Sequence, residues 1–287
     1  MRRGDMRTGD MSGPLIDFDR VSQIYAARDG SPVWALRDVS LTVEAGEFVC
    51  LIGPSGCGKS TLIHLLAGFL TPTSGDVRFR GRPLAGPGPE RGVVFQEYAL
   101  FAWMTARQNV EFGLRMQRVS APIRRRRALE ALDRVGLRHA ADRYPHELSG
   151  GMRQRVAVAR ALVVEPEVVL MDEPFAAVDA MTRTTLQEDL LRLWRETGVS
   201  VLFVTHNIDE AVFLAQRVVV MGAGPGVIRE DLTVDLPYPR DRGSADFGRE
   251  YARIAAALAR GSRTAGGVDG GTDGRPDGGT DGERRAA

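Results

Sequence analysis

An α/β fold with a parallel core sheet, to which an antiparallel β subdomain and a helical subdomain are added, is predicted by three features of the sequence. Short apolar runs recur at Glu47-Phe-Val-Cys-Leu-Ile52, Val168-Val-Leu-Met171, Val199-Ser-Val-Leu-Phe-Val204 and Val218-Val-Val-Met221. Their length and composition suit strands buried on both faces. Helical patterns over Met181–Glu196 and around Ile208 to Ala215 separate the later runs, and strand–helix alternation builds a parallel sheet with crossovers. Between the first and second runs, over roughly residues 104 to 163, the pattern becomes helical.

Taken in order, residues 1–14 are polar and interrupted by Gly and Pro, and residues 262–287 carry Gly-Gly-Thr-Asp-Gly twice. Both ends are expected to be flexible. Alternation in Leu15-Ile-Asp-Phe-Asp-Arg-Val21 and in Val39-Ser-Leu-Thr-Val43 predicts antiparallel strands. The run at 47–52 then leads into Gly53-Pro54-Ser55-Gly56-Cys57-Gly58-Lys59-Ser60 and a helix begun by Thr61-Leu-Ile-His-Leu-Leu. Ser120-Ala-Pro-Ile opens a helical pattern through Val135, and Ser149 is positioned to cap another running to Val163. The main domain is expected over 15–240, its helical subdomain over about 97–163, a helical extension over 241–261 and the Gly/Asp-rich tail over 262–287.

A chain of 287 residues, 43% apolar and 26% charged, can bury a large core. A formal charge of +1 argues against a general electrostatic role on nucleic acid, and Arg124–Arg127 reads as a solvated helix face. No stretch approaches eighteen consecutive apolar residues, and the N-terminus lacks the apolar segment of a signal peptide. A soluble protein of the reducing cytoplasm is expected, since Cys50 and Cys57 are too few for a disulfide framework. Cys57 reads as a small packing residue, and His64, His139 and His146 as structural.

The sole lysine, Lys59, lies inside the G-x-x-x-x-G-K-S pattern, which points to nucleoside triphosphate chemistry. Gly53, Gly56 and Gly58 let the backbone come close to an anion, so that successive N–H groups point at phosphate oxygens. Lys59 adds charge for the outer phosphates, Ser60 offers a hydroxyl to Mg2+, and the following helix directs its positive end at the phosphates. Asp172 ends an apolar strand where it can be held beside Mg2+, and Glu173 follows where it can polarise an attacking water. Ser149-Gly150-Gly151 begins a second helix with a hydroxyl and two glycines, another anion-binding terminus. Two cradles make sense if each nucleotide lies between two copies arranged head to tail.

With these motifs in view, the chain resembles the ATP-binding subunits of ABC transporters over about 15 to 240, which implies the P-loop NTPase fold in its ABC form. The resemblance implies that residues 53–61 bind ATP phosphates and that Leu148-Ser-Gly-Gly-Met152 contacts the γ-phosphate held by the opposite subunit. By the same resemblance, Gln96 touches Mg2+ and the water, Asp172 holds Mg2+ and Glu173 is the catalytic glutamate. Asp179 then lies in the loop crossing the dimer interface, His206 senses the γ-phosphate and Tyr25, favoured over Trp34, stacks on adenine. The chain departs from the usual pattern at Ala176 and Val178, where relatives have Gly and Leu, and at Asn207, where Asp is usual.

One ATPase lobe without a membrane span implies separate transmembrane permease subunits, as in importers. It also implies a peripheral position on the cytoplasmic face of the inner membrane, and indirectly an extracytoplasmic substrate-binding protein. Tyr98-Ala-Leu-Phe-Ala-Trp-Met104 is an apolar segment suited to receiving a short helix from such a partner. Leu100-Phe-Ala-Trp-Met-Thr105, Asp179-Ala-Met-Thr-Arg183, His206-Asn-Ile-Asp-Glu-Ala-Val-Phe213 and Val234-Asp-Leu-Pro-Tyr-Pro-Arg240 resemble the nitrate, sulfonate and taurine importer subgroup. A non-transport ATPase of the same fold acting on nucleic acid or the ribosome is the alternative, and a P-loop kinase has no reason to contain the Ser149 turn.

Overall fold

A computed structural model describes residues 13–263. Two sheets form. The first is antiparallel and four-stranded, in the order β2-β1-β4-β5, from β1 (Ile16–Ala26), β2 (Pro32–Val43), β4 (Ser74–Phe79) and β5 (Arg82–Pro83). The second contains β3 (Phe48–Ile52), β6 (Arg91–Val94), β7 (Val168–Asp172), β8 (Ser200–Thr205), β9 (Arg217–Gly222) and β10 (Val227–Thr233), in the order β10-β9-β3-β8-β7-β6. All neighbours in it are parallel except β10, which pairs antiparallel with β9 at the edge.

The parallel strands are buried on both faces because each face has its own core. In β3, Phe48, Cys50 and Ile52 belong to the core beneath the helical subdomain, while Val49 and Leu51 belong to the core shared with the antiparallel sheet. This two-residue alternation inside a fully apolar run is why the sequence shows no polar period. Helix α1 (Lys59–Ala67) sits on the antiparallel-sheet side. The other face is covered by α4 (Gly150–Leu162), α5 (Ala180–Thr197), α6 (Ile208–Leu214) and α7 (Ala245–Arg263).

The helical subdomain consists of α2 (Ala106–Met116), α3 (Ala121–Arg134) and α4. Thr105 begins α2 with a reciprocal cap: its hydroxyl accepts from Gln108 N–H and the Gln108 side chain accepts from Thr105 N–H. Ser149 caps α4 by accepting from Met152 N–H at 3.3 Å, as the sequence predicts.

Two expectations need correction. The helix after the glycine loop begins at Lys59 rather than Thr61, which places the lysine in its first turn. Residues 262 and 263, assigned above to the tail, continue α7; that amphipathic helix packs on β9 and α6, and the contact carries it past the last apolar residue. The expectations for 1–12 and 264–287 lie outside the described residues. Among the described residues no helix is long and apolar enough to cross a membrane.

Candidate active site

The parallel strands end along one edge of the sheet, and polar side chains gather there. β3 runs into Gly53, β7 into Glu173, β8 into His206, and Gln96 follows two residues beyond β6. Because β8 lies between β3 and β7, the lysine loop, the histidine and the acids become neighbours. Open parallel sheets bind ligands in just this position, outside the carboxyl ends of the strands.

Close contacts give the loop its shape. Gly58 has φ +88°, and a Cβ there would lie 2.4 Å from Leu36 Cδ2 and 2.7 Å from the Ala35 carbonyl oxygen. Only glycine satisfies both constraints. A Cβ on Gly53 would lie 2.6 Å from Cys57 Sγ and 2.7 Å from the Met221 oxygen. Cys57 is fully buried, and burial pushes its thiol up against the opposing charge of Lys59, so it serves as a packing group. Lys59 is only 6% exposed, and its ammonium donates to the carbonyl oxygens of Gly53 at 2.8 Å and Pro54 at 3.0 Å. The chain's one lysine is thus a concentrated positive charge at the positive end of α1.

Ser60, the next residue, donates its hydroxyl to Asp172 Oδ1 at 3.1 Å. Burial raises the Asp172 carboxyl above the usual carboxylate range, and the Ser60 hydrogen bond opposes it. Glu173 then turns away from the strand with φ +44°, a left-handed conformation that costs a non-glycine residue roughly 1–2 kcal/mol. The turn is held at both ends, by Glu173 N–H donating to Val204 O at 3.0 Å and Ala176 N–H donating to Glu173 O at 3.1 Å. Its effect is to bring Glu173 Oε2 to 3.3 Å from His206 Nδ1.

The other anticipated residues fall into two groups. Tyr25, near the end of β1, places its hydroxyl 3.5 Å from Thr61 Oγ1 beside the loop, whereas the Trp34 ring carries the Arg37 guanidinium 5.4 Å from its centre. Pro54, Ser55, Gly56 and Cys57 form the body of the loop. Gln96 is exposed, and among the described residues no hydrogen bond ties it to Asp172 or Glu173. Ser149, Gly150 and Gly151 stay with α4, and a Cβ on Gly151 would lie 2.4 Å from Thr182 Cγ2 of α5. Asp179 caps α5 by accepting from Thr182 N–H at 3.0 Å; that bond lowers its carboxyl pKa. Ser149 and Asp179 are both exposed.

Two supports of the site carry no sequence signal of their own. Gly226, beyond β9, packs so closely that a Cβ there would lie 2.2 Å from the Cys57 oxygen, and it exchanges hydrogen bonds with Ala35 and Arg37 across to β2. Glu210 of α6 is buried beneath the His206 turn and accepts from Thr205 Oγ1 at 2.6 Å. Gly226 depends on segments far apart in the chain, whereas Glu210 acts across the single turn from Thr205 into α6.

A donor-rich loop beside a hydroxyl–carboxylate pair fits a triphosphate with a divalent cation. The Ser60 hydroxyl beside the Asp172 carboxylate is the kind of small oxygen-ligand set that suits Mg2+, an ion that leans on substrate phosphates and few protein ligands.

The family described as ABC transporter matches residues 36–176. The nitrate import ATP-binding protein NrtD of Synechocystis is 49% identical over 222 residues, spanning 77% of this chain and 83% of that protein. The bicarbonate transport ATP-binding protein CmpD of Synechococcus elongatus is 49% identical over 232 residues, spanning 80% and 83%. Among solved structures, the dimeric post-hydrolysis state of the ATP-binding cassette MJ0796, bound to ADP and Pi, matches with a TM-score of 0.69 at 32% identity over 78% of this chain and 100% of that one. The structure of cbiO1 from Clostridium perfringens, part of the complex cbiONQ, matches with a TM-score of 0.70 at 28% identity over 87% and 97%.

Proposed function

Because the chain belongs to the ABC transporter family, we propose that it is the ATP-hydrolysing subunit of an importer, working as a head-to-tail pair with a second copy against membrane permease subunits. The observation that carries this reading is the Ser60–Asp172 hydrogen bond of 3.1 Å standing beside the Glu173–His206 contact of 3.3 Å. Phosphate-binding, metal-binding and proton-accepting groups meet there at one strand edge.

In this reading the loop N–H groups and Lys59 bind the phosphates, Tyr25 stacks on the adenine ring, and Ser60 and Asp172 hold Mg2+ with Gln96. Mg2+ when bound supplies neutralisation of charge on the phosphate oxygens. Glu173 orients water and accepts its proton as the oxygen attacks the γ-phosphorus, the bond from that phosphorus to the bridging oxygen breaks and ADP leaves with the oxygen, while His206 holds the Glu173 carboxylate and γ-phosphate in register. The Ser149-Gly150-Gly151 turn completes the site of the opposite copy and Asp179 meets that copy across the interface. Both are exposed helix starts, and the relative bound to ADP and Pi is dimeric.

The segment that would meet the permease is apolar and partly uncovered. Trp103 is 72% exposed and packs on Phe101, which also meets Phe112. An amphipathic helix lying on that surface would bury these rings. The cargo is a small anion: relatives are named for nitrate and bicarbonate, and the subgroup motifs in the sequence add taurine or another sulfonate. A peripheral site on the cytoplasmic face of the inner membrane and an extracytoplasmic binding protein complete the assembly.

The test is affinity purification of the full chain from native membranes, followed by Mg-ATP hydrolysis by the recovered complex. A polytopic partner and hydrolysis that stops on adding EDTA are expected. Retention on nucleic acid or ribosomes without a membrane partner would overturn the reading.

A further inference from the structure

Resting on the ATPase reading above, we infer that Glu210 is a positioning residue for hydrolysis: its buried carboxylate holds the turn that presents His206 to Glu173, and Arg183 ties that hold to the 176–179 loop. The His206 side chain is 66% exposed, and its partner within hydrogen-bond range among the described residues is Glu173. Its placement therefore depends on the backbone on either side. Both flanking residues belong to one hydrogen-bond chain. Asn207 N–H donates to Thr205 Oγ1 at 3.0 Å, and Thr205 Oγ1 donates in turn to Glu210 Oε2 at 2.6 Å. Because a hydroxyl has one proton, giving it to Glu210 leaves a lone pair for Asn207, and the direction of the chain is set.

The chemistry at Glu210 calls for an acceptor on both oxygens. The second oxygen, Oε1, accepts from Gln187 Nε2 at 3.1 Å and faces Arg183 Nε at 3.9 Å. An ionised carboxylate only accepts, so it matches three donors; an amide would turn an N–H toward one of them. Gln187 is held in turn, because Arg242 donates to its Oε1 and to Asp209 Oδ2. Glu210 is only 5% exposed. Burial raises the Glu210 carboxyl above its usual range, and the Thr205 hydrogen bond, the Arg183 charge and the Gln187 hydrogen bond oppose that shift by favouring the carboxylate.

Arg183 extends the network to the second copy's side. Its Nη2 donates to Val178 O at 2.8 Å, next to Asp179, while its Nε is buried without a hydrogen-bond partner. A shift of the 176–179 loop that brings Nε onto Oε1 tightens Glu210, Thr205 and the His206 turn together. Seating of that loop against a partner is thereby read out at the water-activating pair.

The test uses the full chain and three measurements. In single-turnover Mg-ATP hydrolysis Glu210→Gln is expected to lower the rate by about 10- to 100-fold, the scale of misplacing a catalytic group, with ATP affinity kept within about twofold. Adding Glu210→Gln to His206→Ala is expected to cost less than about twofold more, because residues acting through one group are not additive. In the nucleotide-free chain with labelled histidine, Glu210→Gln is expected to move the His206 imidazole NMR signal and leave those of His64, His139 and His146 in place. Thr205→Val, which removes the same hydrogen bond from the other side, should reproduce all three results if Glu210→Gln misfolds. An unchanged rate, multiplicative losses with His206→Ala, or an unmoved His206 signal would overturn the inference. A wild-type chain that does not hydrolyse ATP would instead overturn the ATPase reading, and the NMR comparison would still decide the role of Glu210.

Discussion

The two glycine-bearing helix starts, at Gly58-Lys59 and at Ser149-Gly150, use the same backbone device and end in opposite states. The first has its charge enclosed: Lys59 is buried, Gly58 is pressed against Leu36, and the exposed Ser60 is already joined to Asp172. The second is open, with Ser149 exposed and its hydroxyl engaged only by its own helix. In the proposed function the start that carries its own charge, hydroxyl and carboxylate partner binds phosphate, and the one that carries only a cap supplies half of a site. The difference teaches that similar local sequence acquires its role from what the sheet brings alongside.

The comparison breaks most severely at Lys59. Hydrogen bonds to charged groups are worth about 1.5–3 kcal/mol, so Lys59→Ala should weaken ATP binding by about 10- to 100-fold and abolish hydrolysis. Equilibrium binding of a fluorescent ATP analogue measures the first and phosphate release the second. Next is Glu173→Gln, which should bind ATP normally, lose roughly two to four orders of magnitude in rate, and accumulate as a closed dimer on size-exclusion chromatography with ATP.

Gly151→Ala sharpens the contrast from the open side. The new methyl would press on Thr182 Cγ2, and overpacking of this sort costs about 1–3 kcal/mol. Thermal unfolding should shift downward and hydrolysis should slow, with ATP affinity unchanged. Smallest is Thr105→Ala, which removes one half of the reciprocal cap on α2 and should cost about 1 kcal/mol, read as a lower unfolding midpoint with little change in ATP binding.

Much of this organisation was legible in the sequence because it rests on local chemistry. The strands β3, β7, β8 and β9 announce themselves as apolar runs, and Gly53–Ser60 states its own chemistry. The cap at Ser149 was legible for the same reason, since a cap is satisfied within one turn. Less legible was α2: Thr105 and Gln108 form a capping pair, but Gly113 is a poor helix former inside it and Ala106, Asn109, Val110 and Leu114 alone among its residues are buried. The polar edge strand β10 was missed because Ile-Arg-Glu-Asp-Leu takes its structure from pairing with β9. Gly226 against Cys57, and Gln187 against Glu210, join residues distant along the chain, and no local pattern encodes those contacts.

In the proposed function the Ser149 turn completes a site on another copy. Steady-state ATPase rate per protomer, followed across a range of protein concentrations for the wild-type chain and for Ser149→Arg, tests it most directly. Specific activity is expected to climb with concentration for the wild type, and Ser149→Arg to be silent while still binding Mg-ATP. A specific activity that stays flat on dilution, or full turnover by Ser149→Arg, would contradict it.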